Sequence, residues 1–145
     1  MVISNILRGK GSQVISVRTG DCVASITRTL AQHRIGAVLV LEADGTVLGI
    51  VSERDIVRAM AGSGEAVTRM TAGQLMTRVL HTVTPQSTIQ EALQMMTDRR
   101  VRHLPVLSGD GSLTGMVSIG DLVKARIAEA EQEAQELKDY VATAG

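Results

Sequence analysis

Val101–Val123 reads VRHLPVLSGDGSLTGMVSIGDLV. Two short apolar runs flank a Gly-rich turn, and the second leads straight into a helical pattern. Its final part, Gly115-Met-Val-Ser118-Ile-Gly-Asp121, puts a hydroxyl and a carboxylate where a strand becomes a helix. The first turn of a helix carries backbone N–H groups with no intrahelical partner, so it can meet a phosphate.

The same stretch occurs earlier. A shift of 66 residues lays Ile35–Val57 on Val101–Val123 without a gap, and nine of the 23 positions are then identical. Among them are Asp44/Asp110, Gly45/Gly111, Gly49/Gly115, Ser52/Ser118 and Asp55/Asp121. Chance does not easily place two Asp-Gly pairs and two Gly-x-Val-Ser-x-x-Asp strings at one offset. The register extends upstream: Ser16-Val17 falls on Thr82-Val83, and Asp21 on Ser87.

Each copy then predicts a short lead, an extended Ser/Thr-Val segment, a helix, and two strands about an Asp-Gly turn, closed by a second helix. Val23, Ile26 and Leu30 mark the first helix of copy one, and Ile89, Ala92, Leu93 and Met96 that of copy two. Asp21 and Ser87 are the expected N-caps. Ile6-Leu7 resembles Leu75-Met76 once Gly9-Lys-Gly11 is taken as an insertion. The expected division is 2–62 for the first repeat, 63–71 for a flexible linker around Ala61–Glu65, 72–127 for the second repeat, and 128–145 for a helical extension. A unit of roughly 60 residues buries little surface alone, so the two are expected to share a core as a pseudo-two-fold α+β module. In the extension, Val123, Ile127, Ala130, Ala134, Leu137 and Val141 recur at heptad-like spacing. This stripe suits either a helix folded back on its own core or one paired with a symmetry mate.

Composition narrows the function classes. Lys plus Arg and Asp plus Glu number 15 each, giving no basic excess for a nucleic-acid or anionic-membrane partner. One Tyr with no Phe or Trp leaves no stacking platform for single strands. The single cysteine, Cys22, cannot form an internal disulfide, and nothing suggests a metal. The N-terminus lacks a signal-peptide pattern, and no apolar run has the length of a membrane span, so a cytoplasmic location is expected. No nucleophile–base pair or carboxylate pair at workable spacing stands out, so an enzyme is not expected.

Ser52-Glu-Arg-Asp55 and Ser118-Ile-Gly-Asp121 admit two readings. Ser-x-x-Asp before an apolar helix is a capping box with Asp in place of Glu. The same geometry lets the Ser donate to a phosphate or sugar oxygen and the Asp accept from both hydroxyls of a ribose.

These paired strings, the Asp-Gly hairpins and the Arg102-His-Leu-Pro-Val106 strand resemble a tandem cystathionine-β-synthase (CBS) domain pair, or Bateman module, over about Val2–Ile127. The resemblance implies an α+β fold of two pseudo-symmetric repeats. Their three-stranded sheets would pack against each other, with flanking helices and here a long C-terminal helix. It also implies clefts that bind AMP, ADP, ATP, NAD or S-adenosylmethionine, with AMP or NAD favoured, and a disc-like homodimer acting on a separate regulated protein. Carried over by position, Asp55 and Asp121 would hold ribose hydroxyls, and Ser52 and Ser118 ribose or phosphate. Arg54, Arg102 and His103 would reach phosphate; Val17, Val83, Ile35 and Pro105 would line the adenine edge. His103 reads equally well as a half-buried strand residue. The copies are not equivalent: Arg102-His103 faces Gly36-Ala37 in the alignment, and Ile119-Gly120 faces Glu53-Arg54. Two unequal sites are therefore expected. The competing expectation is a structural dimerisation module whose clefts stay empty.

Overall fold

A computed structural model describes residues 1–11, 13–78 and 81–144. The chain divides into two compact units. One, here the Asp55 unit, comprises Gln13–Leu80 with Gly111–Leu113; the other, the Asp121 unit, comprises Met1–Ser12, His81–Asp110 and Thr114–Gly145.

In the Asp55 unit, β1 (Ser16–Val17) pairs parallel with β2 (Ala37–Leu41), which pairs antiparallel with β3 (Val47–Ser52). Helix α2 (Val23–His33) joins β1 to β2, and α3 (Glu53–Ser63) follows β3 directly. Val23, Ile26 and Leu30 bury one helical stripe with Val38, Val40 and Val51, as the period-3.6 and period-2 patterns require. At the hairpin tip Gly45 takes φ +89°, and the Thr46 amide donates to Asp44 Oδ1 at 3.0 Å. Gly111 repeats this turn at φ +86°.

The Asp121 unit follows the same plan: α1 (Ile3–Lys10), then α5 (Ile89–Arg99), β4 (His103–Leu107), β5 (Leu113–Ser118) and α6 (Ile119–Ala144). Its core joins Ile3, Val83, Ile89, Met96, Leu104, Val106, Val117 and Leu122. The expected third strand is reduced to one parallel bridge, Val83 with Val106. Pro105 is the cause. In the Asp55 unit, Leu39 at the matching position donates its amide to Ile15 O. Proline has no N–H to give, so the ladder at His81 loses that rung.

The compact units cut across the sequence repeats 2–62 and 72–127. The lead of copy one, α1, sits with the body of copy two: Ile3 and Ser4 donate backbone N–H to Ser87 O and Pro85 O, both at 2.9 Å. The lead of copy two, α4 (Ala72–Leu75) with Met76, is buried in the core of the Asp55 unit. The expected flexible linker 63–71 is also structured. Helix α3 runs to Ser63, a 3-10 turn spans Gly64–Arg69, and Val67 is fully buried. One apolar side chain with a place in the core anchors the segment.

The N-caps fall one residue later than expected. Cys22 and Thr88 precede α2 and α5, and Thr88 Oγ1 accepts from the Glu91 amide at 3.0 Å. Asp21 and Ser87 instead close the turn before each helix, accepting from the Arg18 and Thr84 amides at 2.9 and 3.0 Å. Both helices end on an arginine in the left-handed region, Arg34 (φ 53°) and Arg100 (φ 54°). Glycine is favoured there. Arg100→Gly should stabilise the protein by about 0.5–1 kcal/mol, read as a rise in thermal midpoint; an unchanged or lower midpoint contradicts strain at this position.

Helix α6 is continuous over 26 residues, and only Leu122 and Ala125 are buried in it. Every described residue from Ala130 onward is exposed. The extension therefore does not fold back on a core of its own chain. No helix among the described residues is long and apolar enough to cross a membrane.

Candidate functional site

Both Ser-x-x-Asp strings sit where a strand runs into a helix, β3 into α3 and β5 into α6. In the Asp55 unit the Asp55 amide donates to Ser52 Oγ at 3.3 Å, and the Ser52 amide and hydroxyl both donate to Asp55 Oδ2, at 2.8 and 3.0 Å. In the Asp121 unit the Asp121 amide donates to Ser118 Oγ at 3.2 Å and the Ser118 amide to Asp121 Oδ2 at 2.9 Å. The capping-box reading is thus realised twice. The first amide of each helix is engaged as well: Glu53 N–H donates to Gly36 O at 2.9 Å and Ile119 N–H to Arg102 O at 2.8 Å. Two of the first three amides are therefore used within the fold, which weakens the expectation of a bare helix start for phosphate. The same bonds hold each carboxylate in a fixed orientation at the edge of its unit.

The units differ in what else reaches the aspartate. In the Asp55 unit Thr77 supplies both donors: its amide donates to Ile50 O at 2.9 Å, and its Oγ1 lies 3.5 Å from Asp55 Oδ1. In the Asp121 unit one side chain does both tasks. Lys10 Nζ donates to Met116 O at 3.0 Å and to Asp121 Oδ2 at 2.7 Å. Ile50 and Met116 are equivalent under the 66-residue shift. An ammonium therefore stands where the other unit has a neutral amide and hydroxyl.

Neither Lys10 nor Thr77 is among the residues expected from sequence. The one signal for Lys10 was the Gly9-Lys-Gly11 insertion, which carries it past the position of its counterpart lead. The basic residues that were expected are Arg54, Arg102 and His103. Arg54 and Arg102 are exposed, and His103 opens β4 half-buried. At the adenine edge, Val17, Val83 and Pro105 are buried and Ile35 is half-buried. The Val83 amide donates to Pro105 O, and Val83 O accepts from Leu107. Both backbone groups of Val83 thus belong to the sheet, and a base edge could meet only its neighbours, such as the His81 carbonyl opposite Pro105.

Burial by itself would raise the pKa of Asp121, but the hydrogen bond from Lys10, the Ser118 amide and the Lys10 charge outweigh it and hold the carboxyl below the usual carboxylate range. A depressed folded pKa gives stability that is present above the unfolded value and is lost as pH falls through the folded one. Asp121→Asn should therefore flatten the fall in thermal midpoint below about pH 4. Parallel acid curves for the two chains would show that the ion pair does not contribute.

The sequence matches the CBS domain family over residues 12–62 and again over 72–128. The chain belongs to the CBS domain family. It is 35% identical to a mitochondrial CBS-domain-containing protein of Arabidopsis thaliana, over 96% of this chain and 71% of that protein. A crystal structure of a CBS-domain-containing protein from Agrobacterium tumefaciens aligns with TM-score 0.84 and 40% identity, covering 87% of this chain and 99% of that one. A CBS domain pair at 19% identity shares the fold with TM-score 0.76, covering 86% of this chain and 98% of that one; its crystals held 5′-methylthioadenosine and S-adenosyl-L-methionine. Among the described residues no cluster of His, Cys, Asp and Glu could hold a metal ion.

Proposed function

We propose that this CBS pair is a regulatory, non-catalytic module that binds adenosine-containing ligands, AMP or NAD ahead of ATP and S-adenosylmethionine, and acts on a separate protein or on its own assembly. The observation that carries this reading is the twice-built Ser-x-x-Asp junction. Asp55 shares three hydrogen bonds with its serine and Asp121 two, in the geometry that suits two vicinal ribose hydroxyls. The structural neighbour bound to two adenosyl compounds supports the ligand class. Asp55 and Asp121 would take the ribose, Ser52 and Ser118 ribose or phosphate, and Arg54, Arg102 and His103 the phosphates. The half-exposed single thiol of Cys22 suits a reducing, cytoplasmic setting.

Calorimetric titration with AMP, NAD, ATP and S-adenosylmethionine tests the proposal. Two unequal sites are expected, with Asp121→Ala and Asp55→Ala each removing one. Two identical independent sites would contradict the difference between the units. A ligand at 100 times its Kd should add about 2.7 kcal/mol of stability. No thermal shift with any of the four would favour the second reading, a structural dimerisation module. That reading draws its support from carboxylates whose hydrogen bonds are already made inside the fold.

Lys10 gives a sharper test. Its ammonium competes with ribose hydroxyls for Asp121, yet supplies a positive charge beside the junction. Lys10→Ala should therefore tighten adenosine or methylthioadenosine and weaken AMP or ATP, each by about fivefold for a change of about 1 kcal/mol. Equal changes for phosphorylated and unphosphorylated ligands would remove Lys10 from the site.

A further inference from the structure

We infer that the two junctions divide their ligands by charge: the Asp121 unit takes a phosphorylated adenosine compound and the Asp55 unit an uncharged one. This division rests on the adenosine-binding reading and assigns a ligand class to each unit. Lys10 and Thr77 are the residues that set it.

Fixed charge differs at the two junctions. At Asp121 the Lys10 ammonium lies 2.7 Å from Oδ2. The exposed Arg102 adjoins the same helix start, since its carbonyl accepts from the Ile119 amide at 2.8 Å. Gly120, next in the helix, carries no side chain. Two cations thus meet one carboxylate. At Asp55 the first turn of α3 holds Glu53 as well as Asp55, with Arg54 between them. Gly36 fills the place of Arg102, its carbonyl accepting from the Glu53 amide, and neutral Thr77 fills the place of Lys10. Two carboxylates thus meet one cation, and among the described residues no ion pair neutralises Asp55. Arg78 follows Thr77 on an extended segment, where successive side chains point to opposite faces, so it does not join the Thr77 hydroxyl at Asp55. Arg58 and Lys124 are equivalent under the 66-residue shift and add the same charge to both units.

The hydroxyls differ in the same sense. Ser52 Oγ donates to Asp55 Oδ2 at 3.0 Å, so its one proton is spent on its own aspartate. Ser118 Oγ accepts from the Asp121 amide at 3.2 Å and makes no such bond in return.

These differences favour opposite ligands. A ribose that takes both oxygens of Asp121 must push the Lys10 ammonium aside. A phosphate gives that ammonium a charge-assisted partner, and an uncharged nucleoside gives it none. At Asp55 the ribose displaces only the Thr77 hydroxyl, which is neutral and 3.5 Å away. A phosphate at that junction enters a field in which carboxylates outnumber cations.

Titration of the full chain with AMP and with adenosine tests the division. AMP binding should be lost in Asp121→Ala and kept in Asp55→Ala, and adenosine binding the reverse. Raising the salt to about 0.5 M should weaken AMP severalfold and leave adenosine nearly unchanged. Lys10→Gln keeps a donor for Asp121 but drops the charge, and should weaken AMP about fivefold or more. Thr77→Lys should add a second AMP site, removed in turn by Asp55→Ala. AMP and adenosine lost in the same aspartate variant overturn the inference and leave the ligand reading standing. So does AMP binding that neither salt nor Lys10→Gln alters. Binding of neither compound to the wild-type chain also overturns it. The ligand reading falls with it only if NAD, ATP and S-adenosylmethionine fail to bind as well.

Discussion

Ile3→Ala is expected to destabilise the Asp121 unit by about 2–5 kcal/mol, a large part of the stability of an ordinary domain. Ile3 is fully buried although it is the third residue of the chain. Its side chain joins a core with Leu104, Val106, Val117 and Leu122. The backbone around it is fastened too: Val2 bridges Thr88, and the amides of Ile3 and Ser4 donate to Ser87 O and Pro85 O. The helix cannot easily slide to close the cavity, which places the cost in the upper part of the range. Urea unfolding should show the loss as a lower midpoint. Val57→Ala, at a position 66% exposed, should stay within about 0.5 kcal/mol of wild type. If the two substitutions cost the same, α1 is not a structural member of that unit.

The second large effect concerns one glycine of the repeated motif and spares its twin. A Cβ on Gly49 would lie 2.8 Å from the Thr77 carbonyl oxygen and 2.8 Å from Met76 Sδ. That carbonyl accepts from the Ile50 amide, so moving it breaks the bridge that holds the second lead on its sheet. A Cβ on Gly115 would lie 2.7 Å from Leu7 Cδ2, and its three nearest atoms would all belong to that side chain, which can rotate. Gly49→Ala should therefore cost about 2–3 kcal/mol and Gly115→Ala about 1 kcal/mol or less. Chemical denaturation of the two single variants decides it. Equal costs, or the reverse order, would show that the backbone at Thr77 yields as readily as a leucine side chain.

Much of this fold was legible because its information is local and repeated. The 66-residue offset identified both hairpins, and Gly45 and Gly111 take the positive φ that an Asp-Gly turn needs. It also placed Ser52, Asp55, Ser118 and Asp121 at strand-to-helix junctions, where their short-range bonds form within four residues of chain. What escaped depends on distant chain or on a subtle competition. Lys10 lies 111 positions from Asp121, and no spacing rule connects them. Asp21 and Ser87 read as caps by residue type, yet each bonds backward three residues, which puts the cap on the next residue. Pro105 belongs to the strand that carries the resemblance, but its effect on the third strand appears only when the neighbouring rung is known. Val67 lies among Gly, Ser, Thr and charged residues, so its burial is a tertiary fact rather than a pattern.

The division of the chain also has a temporal side. Gln13–Leu80, nearly the whole Asp55 unit, is one continuous segment set between two pieces of the other unit. A chain made from its N-terminus at about 5–20 residues per second can complete that segment early. Helix α1 emerges before it but must wait for Leu122, about 120 positions later, a delay of roughly 6–24 s at the same speed. During that interval Ile3 and Leu7 have no core to enter. Helix α1, made before the Asp55 unit, is seated only after it, so its own unit cannot be completed before Leu122 has been made.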